Sequence, residues 1–568
     1  MSLVAAAIRR RFAPHGALWL RLDAWTLFAL VVAGLVSVPV LVVFGSVFAP
    51  AGEVWHHLAE TVLWRYVGNS LGLMVGVGTG TLLIGVTTAW LVTMCRFPLR
   101  RVFEWALLLP LAVPAYVIAY TYAGMLEFAG PVQTALRGWF GWQKGDYWFP
   151  DIRSLGGAVT VMTLVLYPYV YLLARAAFLE QSVNAIEVSR TLGRGPWRSF
   201  RDVALPLARP LIVGGVALAL MEALSDFGAV QYFAVDTFTT GIFRTWFGLG
   251  DPTAAAQLAA ILMLFVLVLI VLERASRRRR RFYHTSRRYR ALPRYRLRGG
   301  RAVLAFTACF VPILLGFLLP GGQLLVWAAA TAERVIDARF LALAWNSVAL
   351  GAMTAALAVA VGLLIAYGLR LRPTPPVHAA ARVATLGYAV PGSVIAVGVL
   401  LPLAWLDNRI DASMRDLFGL STGLIFTGGV IALVYGYLVR FLAISFNTVE
   451  ASLAKVTPTM DGAARTLGRS AGGALARVHV PIVSGSLLAA AILVFVDVMK
   501  ELPATLIMRP FNFTTLAVRT FELASDERLA DAAGPALAIV AAGIVPVIVL
   551  SLAITRSRPG HPEGVSGE

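Results

Sequence analysis

The sequence predicts an all-α membrane protein with about twelve transmembrane helices. Of its 568 residues, 58% are hydrophobic and only 14% are charged, and the mean hydropathy is +0.76. Soluble domains are about half apolar and about a quarter charged, so this composition indicates a membrane protein. Residues 25–48 form an apolar run without a single charge. About 20 such residues cross the hydrocarbon core of a bilayer as a helix.

Apolar runs of similar length recur along the whole chain, and their lengths suit membrane crossing with some tilt. The first run is too long for a cleaved signal sequence, so we expect it to be retained. We number the predicted spans one to twelve, at residues 25–48, 67–93, 102–126, 155–178, 207–231, 254–273, 302–328, 343–369, 380–404, 420–446, 482–506 and 534–555.

The positive charges of the chain lie mainly in the loops that follow even-numbered spans. The formal net charge is +19, and the densest block, residues 274–301, contains thirteen Arg. Nucleic-acid binding is a possible reason for such a charge, but short cytoplasmic loops of membrane proteins carry the same excess of Arg and Lys. We therefore expect no nucleic-acid partner, and we predict that both termini are cytoplasmic.

The residues that usually build catalytic or metal sites are sparse and scattered. Both cysteines, Cys95 and Cys309, lie in or at the end of apolar runs, so neither a disulfide framework nor a cysteine metal site is expected. The seven His are spread along the chain without a common motif. The sequence therefore predicts no catalytic residues and no cofactor, which argues against a membrane enzyme.

The two halves of the chain repeat each other in a nearly constant register. Asn69-Ser70 recurs as Asn346-Ser347, and the Arg-Thr-Leu-Gly-Arg motif at 190–194 recurs at 465–469. Each copy has six spans, so both copies insert in the same direction as parallel repeats. We predict a first half at 1–273, a cytoplasmic Arg-rich linker at 274–301 and a second half at 302–568.

The most informative part of the repeat is the loop after the fourth span of each copy. In both loops a Gly is followed by a Pro at the same distance, as Gly193 with Pro206 and as Gly468 with Pro481. The pattern predicts a short helix from about 183 to 192 that ends at Gly193, because glycine enters the left-handed cap without penalty. We expect Pro206 to begin the next span. Such a surface helix is suited to docking a partner.

This loop resembles the EAA loop of ABC importer permeases, which reads Glu-Ala-Ala, three residues, Gly, and then Leu-Pro. The resemblance implies a coupling helix that fits a groove on a separate ATPase subunit. The second loop departs from the pattern, because Gly462 stands where the first has Glu187. The residues implied in ATPase coupling are Glu187, Arg190, Gly193, Pro206, Asp461, Gly462, Arg465, Gly468 and Pro481.

The chain has no Gly-x-x-x-x-Gly-Lys-[Ser/Thr] phosphate loop, and none of its three Lys follows a Gly. ATP hydrolysis is therefore expected in partner chains, and this chain is not expected to be an enzyme.

Two predicted spans carry acidic pairs that are unusual inside a membrane. Span five holds Glu222 and Asp226, and span eleven holds Asp497 and Glu501 at the equivalent positions of the repeat. The i, i+4 spacing predicts that each pair shares one helix face. Intramembrane acids usually face a bundle interior or an aqueous cavity. Two interpretations stay open: structural pairing, with Lys500 and Arg509 as candidate partners, or a ring of carboxylates along a cation path.

Sequence around these acids is similar to the fused ferric-iron permeases. Residues 225–230 (Ser-Asp-Phe-Gly-Ala-Val) resemble their first half, and residues 499–506 (Met-Lys-Glu-Leu-Pro-Ala-Thr-Leu) resemble their second. The resemblance implies a type I ABC importer fold in the bacterial inner membrane. It also implies two ATPase subunits, a periplasmic binding protein that delivers iron(III), and alternating access. Related permeases carry thiamine, phosphonates or polyamines, and a twelve-helix secondary transporter is the alternative from another class.

Overall fold

The computed structural model describes residues 23–50, 52–180, 195–278 and 294–556 of the chain. The first half of the chain is mainly helical. Its α-helices are Ala24–Gly45, Glu53–Thr61, Leu63–Met94, Arg100–Ala106, Ala115–Leu126, Pro131–Phe140, Leu155–Glu180, Pro196–Ser199, Leu205–Ser225, Gly228–Tyr232, Phe238–Phe243 and Pro252–Arg278. Its tighter 3₁₀ turns are Ser46–Phe48 and Leu109–Ala112, and its wider π turns are Phe200–Ala204 and Arg244–Gly248.

The second half has the same character. Its α-helices are Gly300–Ile313, Leu319–Val335, Ala338–Leu371, Pro375–Ala384, Gly392–Phe418, Val430–Leu453, Pro458–Thr466, Ala471–Ala474, Val480–Lys500, Pro503–Met508, Leu516–Ser525 and Leu529–Arg556. A 3₁₀ turn lies at Leu386–Ala389, and π turns lie at Leu314–Leu318 and Leu475–His479. Two short strands, Cys95–Arg96 and Tyr295–Arg296, pair in parallel.

In the part of the chain that the structure describes, the candidate membrane spans follow the order of the predicted spans but number ten to eleven rather than twelve. Span nine begins at Gly392 rather than at residue 380, because a 3₁₀ turn and Pro391 precede it. Within the described ranges, ten helices are long and apolar enough to cross a membrane. Span three is instead a broken span, in which Arg100–Ala112 and Ala115–Phe140 meet at 88°. Pro114 lies at this break, as expected where the residue before a proline is excluded from the helical conformation. The helix Leu529–Arg556 occupies the position of span twelve.

Spans five and eleven begin earlier than predicted. Pro206 lies at the start of the α-helix Leu205–Ser225, as expected, and Pro481 has the same place in Val480–Lys500. A π turn joins each of these α-helices to the helical turn before it, so the continuous helical stretch begins at Trp197 or at Ala471. Since proline lacks an N–H, a wider turn at that point lets the helix continue where a regular turn would lose a hydrogen bond.

The backbone repeats in the register that the sequence shows. The 3₁₀ turn Leu386–Ala389 stands in the second half where Leu109–Ala112 stands in the first. The helix Val480–Lys500 likewise corresponds to Leu205–Ser225, and both have the same length. Two copies of one helical unit therefore account for the architecture, although the boundaries between halves and linker stay a prediction.

The first helix of each copy packs on the other copy. Span one lies against Pro375–Ala384 and Gly392–Phe418, and Arg372 Nε contacts Asp23 Oδ2 at 3.0 Å. Span seven lies against the first half, where the Tyr122 hydroxyl donates to the Leu315 carbonyl at 2.5 Å. Buried apolar side chains of both copies consequently share one core, and a cavity lies between the two halves.

Candidate functional site

Span five stops inside the bundle and leaves one acid in an extended segment. The helix ends at Ser225, and Asp226 has φ −69° and ψ 135°. The Asp226 Oδ1 atom accepts hydrogen bonds from the N–H groups of Ala229 at 2.8 Å and Val230 at 3.3 Å. Asp226 therefore caps the short helix that follows, Gly228–Tyr232, as acidic side chains commonly do at helix N-termini.

Span eleven has the same break. Its helix ends at Lys500, and Glu501 has φ −70° and ψ 117° before the short helix Pro503–Met508. The Glu501 Oε1 atom accepts a hydrogen bond from the Ala504 N–H at 3.2 Å. Pro503, which cannot continue a regular helix, is the first residue of the helix after this break. The prediction that each acidic pair shares one helix face was wrong, because Asp226 and Glu501 lie beyond the helix ends.

All four intramembrane acids nevertheless line one cavity between the two halves. The cavity has a volume of about 80 Å³. Its polar lining comes from both copies and consists of Tyr116, Tyr169, Glu222, Ser225, Asp226, Tyr388, Arg440, Asp497, Lys500 and Glu501.

Both acids of the second half are paired with cations. Arg440 Nη1 lies 3.2 Å from Glu501 Oε1, and both side chains are buried. Lys500 Nζ lies 2.8 Å from Asp497 Oδ1. Lys500 is thus the partner that the pairing interpretation named, whereas Arg509 pairs with Glu522 at 2.9 Å outside the cavity. Sequence reasoning missed Arg440, although it is the one charged residue within the predicted span ten.

The first half offers no such cations. In the register that aligns the two acidic pairs, Val165 takes the position of Arg440, and Ser225 takes the position of Lys500. The Ser225 hydroxyl donates to the Met221 carbonyl at 2.8 Å instead. No group of three His, Cys, Asp or Glu suited to hold a metal ion occurs in the residues that the structure describes. The cavity is therefore lined by charged groups of both halves, and both of its cations come from the second half.

The loop after span ten, which is the second of the two repeated loops, forms the expected short helix, Pro458–Thr466. Gly468 follows it with φ +75°, and the Arg469 N–H donates to the Ala464 carbonyl at 3.0 Å. This is the left-handed ending predicted for the first loop. The side of the helix that carries Gly462 and Arg465 is exposed. The equivalent residues of the first loop, Glu187, Arg190 and Gly193, lie outside the described residues.

Asp461 is held by its own half of the protein. Its Oδ2 atom accepts from Arg370 Nε at 3.0 Å and Nη2 at 2.7 Å, and its Oδ1 atom lies 2.6 Å from His479 Nε2. Burial favours the neutral acid, but the hydrogen bonds from Arg370 and His479 outweigh it and lower the pKa of Asp461. The carboxylate thus fixes the short helix to spans eight and eleven.

Comparisons with known proteins agree with this architecture. Residues 81–282 match the profile of the family described as binding-protein-dependent transport system inner membrane component. The molybdenum transport system permease protein ModB of Escherichia coli is 31% identical over 170 residues, which cover 30% of this chain and 71% of ModB. The chain belongs to this family. It is a fused, two-half permease of the ABC importer class with the type I fold.

Other relatives cover larger or smaller shares of the chain. The Fe(3+)-transport system permease protein FbpB 2 of Haemophilus influenzae is 27% identical over 526 residues, which cover 91% of this chain and 96% of FbpB 2. The sulfate transport system permease protein CysT of Escherichia coli is 29% identical over 150 residues, which cover 26% of this chain and 51% of CysT. The first of these two similarities covers most of the chain, and the second covers about a quarter of it.

Proposed function

We propose that this permease imports a cation, iron(III), and that the cavity between the halves lies on its path. The composition of the cavity wall is the observation that indicates a positively charged substrate. Four carboxylates, Glu222, Asp226, Asp497 and Glu501, face two cationic side chains, Arg440 and Lys500. Counted as ionised, the wall has an excess of two negative charges, which favours a cation in a low-dielectric passage.

The relative named for Fe(3+) transport supports iron(III) as that cation, because its similarity covers both halves. Hard oxygen donors such as carboxylates suit a hard, highly charged ion. The relatives named for molybdenum and sulfate transport share about a third of this chain or less. A sulfate anion would meet an excess of carboxylates here, and both cations of the wall are already paired.

We propose two ATPase subunits and a periplasmic binding protein as the partners. The helix Pro458–Thr466 and the residue after it present Gly462, Arg465 and Leu467, which is 80% exposed, to one ATPase subunit. The first loop contacts the other subunit and offers Glu187 in place of Gly462. The excess of Arg in the loops after even-numbered spans supports a cytoplasmic location for both docking loops and both termini.

The anchoring of Asp461 supplies a mechanical link from the ATPase to the cavity. A push on the helix Pro458–Thr466 passes through Asp461 to Arg370 of span eight and His479 of span eleven. Span eleven then continues as the helix Val480–Lys500, which is about 31 Å long at 1.5 Å per residue. The C-terminal end of this helix carries Asp497 and is followed by Glu501. Movement of the helix therefore displaces the cavity wall.

Transport in a reconstituted system tests the substrate directly. The permease, the ATPase and the binding protein are placed in proteoliposomes, and uptake of radioactive iron(III), sulfate and thiamine is compared with and without ATP. We expect uptake of iron(III) that requires both ATP and the binding protein. ATP-dependent uptake of sulfate or thiamine without iron(III) would refute the proposal.

The docking role of the second loop has a separate test. Arg465→Glu reverses an exposed charge on the proposed docking face, whereas Arg469→Glu makes the same change beyond the helix end. We expect the first variant to lower uptake and ATPase stimulation by the binding protein together, and the second to lower them less. Equal effects of the two variants would contradict a specific docking face.

A further inference from the structure

Three of the four acids at the cavity already have a structural task, and the fourth does not. Asp226 and Glu501 cap short helices, and Asp497 pairs with Lys500. Glu222 lies one helical turn before Asp226 on the cavity wall. Throughout the described part of the chain, its carboxylate has no hydrogen-bond or ion-pair partner. Keeping an acid without a counter-ion inside a membrane protein costs free energy, so such an acid is a candidate cation-binding residue.

A second oxygen donor points to the same place. Tyr116 lines the cavity with only 5% of its surface exposed, and its hydroxyl has no hydrogen-bond partner among the residues described. Gly228 makes room for this ring, because a Cβ atom there would lie 2.6 Å from the Tyr116 Cβ. Burying a hydroxyl without a partner costs free energy. Tyr116 and Asp226 line the same cavity, and the Asp226 Oδ2 atom likewise accepts no hydrogen bond in the described structure.

We propose that Glu222, the Oδ2 atom of Asp226 and the Tyr116 hydroxyl form a contact site for a hard trivalent cation on one side of the path. We further propose that no such site exists in the second half, because the ion pair with Lys500 neutralises Asp497. This inference rests on the proposed function, since it assigns a place to the substrate of that path. Carboxylate and phenol oxygens are the donors that such an ion prefers.

A one-sided site suits transport better than a complete cage. A passage must bind its ion well enough to admit it and weakly enough to release it. Two free carboxylate pairs facing each other would offer a trivalent ion up to eight oxygens, and such a site would release the ion slowly. Lys500 prevents this, and its position in the first half is filled by the neutral Ser225.

Terbium(III) luminescence tests the site without transport. The complete permease is placed in lipid nanodiscs, and terbium(III) emission is excited through the cavity tyrosines, which are Tyr116, Tyr169 and Tyr388. We expect Glu222→Gln to weaken terbium(III) binding about tenfold or more, because a charged ligand is lost. Ser225→Lys should weaken it similarly, because it gives Glu222 the counter-ion that Asp497 has.

Two comparison variants make the result specific. The double variant Asp497→Ser/Lys500→Ser removes a neutral pair, so terbium(III) binding should change less than about threefold if the paired acid is no ligand. Glu60→Gln makes the same chemical change at an exposed position outside the cavity, and it should leave binding as it is. Thermal unfolding of each variant in nanodiscs verifies that the protein is folded.

The outcomes separate this site from the proposed function. Unchanged terbium(III) binding in folded Glu222→Gln, or an equal loss in Glu60→Gln, would overturn the site whatever the transported substrate is. Wild-type protein that binds terbium(III) through Glu222 but imports no iron(III) from the binding protein would refute the iron proposal and leave the cation site standing. Loss of both terbium(III) binding and iron(III) uptake in Glu222→Gln supports both.

Discussion

The breaks in spans five and eleven have the same backbone and different charges. The two helices end at equivalent positions of the repeat, and each is followed by an acid that caps the next short helix. The break in span eleven is surrounded by Arg440 and Lys500, whereas the first half has Val165 and Ser225 at these positions. The two capping acids have the same structural role, but their surroundings differ, which leaves one side of the cavity neutral and the other acidic.

Among the variants that test this comparison, the one that removes Arg440 should lower the stability of the protein most. Arg440→Met leaves Glu501 buried without a counter-charge, and breaking a buried ion pair from one side costs about 3–5 kcal/mol. We expect a large fall in the unfolding temperature in detergent. The double variant Arg440→Met/Glu501→Gln should recover part of the loss, because no unpaired charge remains. Equal unfolding temperatures for the single and the double variant would show that the pair itself is not what stabilises the break.

A methyl group at Gly392 should disturb the same pair by contact. A Cβ atom at this position would collide with Arg440 Nη1 and Glu501 Oε1. Overpacking of this kind costs about 1–3 kcal/mol, so Gly392→Ala should lower the unfolding temperature. Gly485→Ala is the matched control, because no atom lies within 4 Å of its added Cβ and alanine favours the helix by about 0.5–1 kcal/mol. A loss of stability in both variants would argue against the specific collision.

A variant of Asp461 tests whether the contacts of this residue with Arg370 and His479 hold the second loop in place. Asp461→Asn loses charge-assisted hydrogen bonds with Arg370 and His479, worth about 1.5–3 kcal/mol. Amide hydrogen exchange across Pro458–Thr466 should become faster. Because the pKa of Asp461 is lowered on folding, its contribution is complete above the unfolded pKa of about 3.9 and is lost as the pH falls through the folded value. Exchange in the wild type should therefore quicken in acid, and this dependence should vanish in Asp461→Asn.

The spans and their repeat could be predicted from local sequence, because a membrane crossing requires a long apolar run whatever lies around it. The breaks were harder to predict. Pro503 signals the break in span eleven, but no proline follows Asp226, so the break in span five has no local signal. Its geometry depends on packing against the rest of the bundle.

The local pair of Lys500 with Asp497 was among the candidates that the sequence offered, but two other charge pairs could not be predicted, because they join residues far apart in the chain. Arg440 and Glu501 are 61 residues apart, and Arg370 and Asp461 are 91 apart. A lone arginine in an apolar span indicates that some acid is near, but not which one. The loop motif likewise marks Asp461 as part of a docking loop. Only the fold shows that its carboxylate faces inward.

The smallest predicted effect concerns the two glycines of the second loop, which should respond in opposite directions. Gly468 has φ +75°, so Gly468→Ala should cost about 1 kcal/mol and loosen the end of the helix Pro458–Thr466. Gly462 lies inside that helix with open space around it, so Gly462→Ala should stabilise the helix by about 0.5–1 kcal/mol. Hydrogen exchange at the same amides measures both changes.

The sign of each change distinguishes two reasons for a glycine at position 462. If Gly462→Ala slows hydrogen exchange and leaves ATPase coupling intact, then docking does not require a glycine at this position, where the first loop has Glu187. If the methyl group stabilises the helix yet lowers uptake, the ATPase approaches the backbone closely at this point. The unequal loops would then reflect two different docking surfaces rather than one weakened copy of the other.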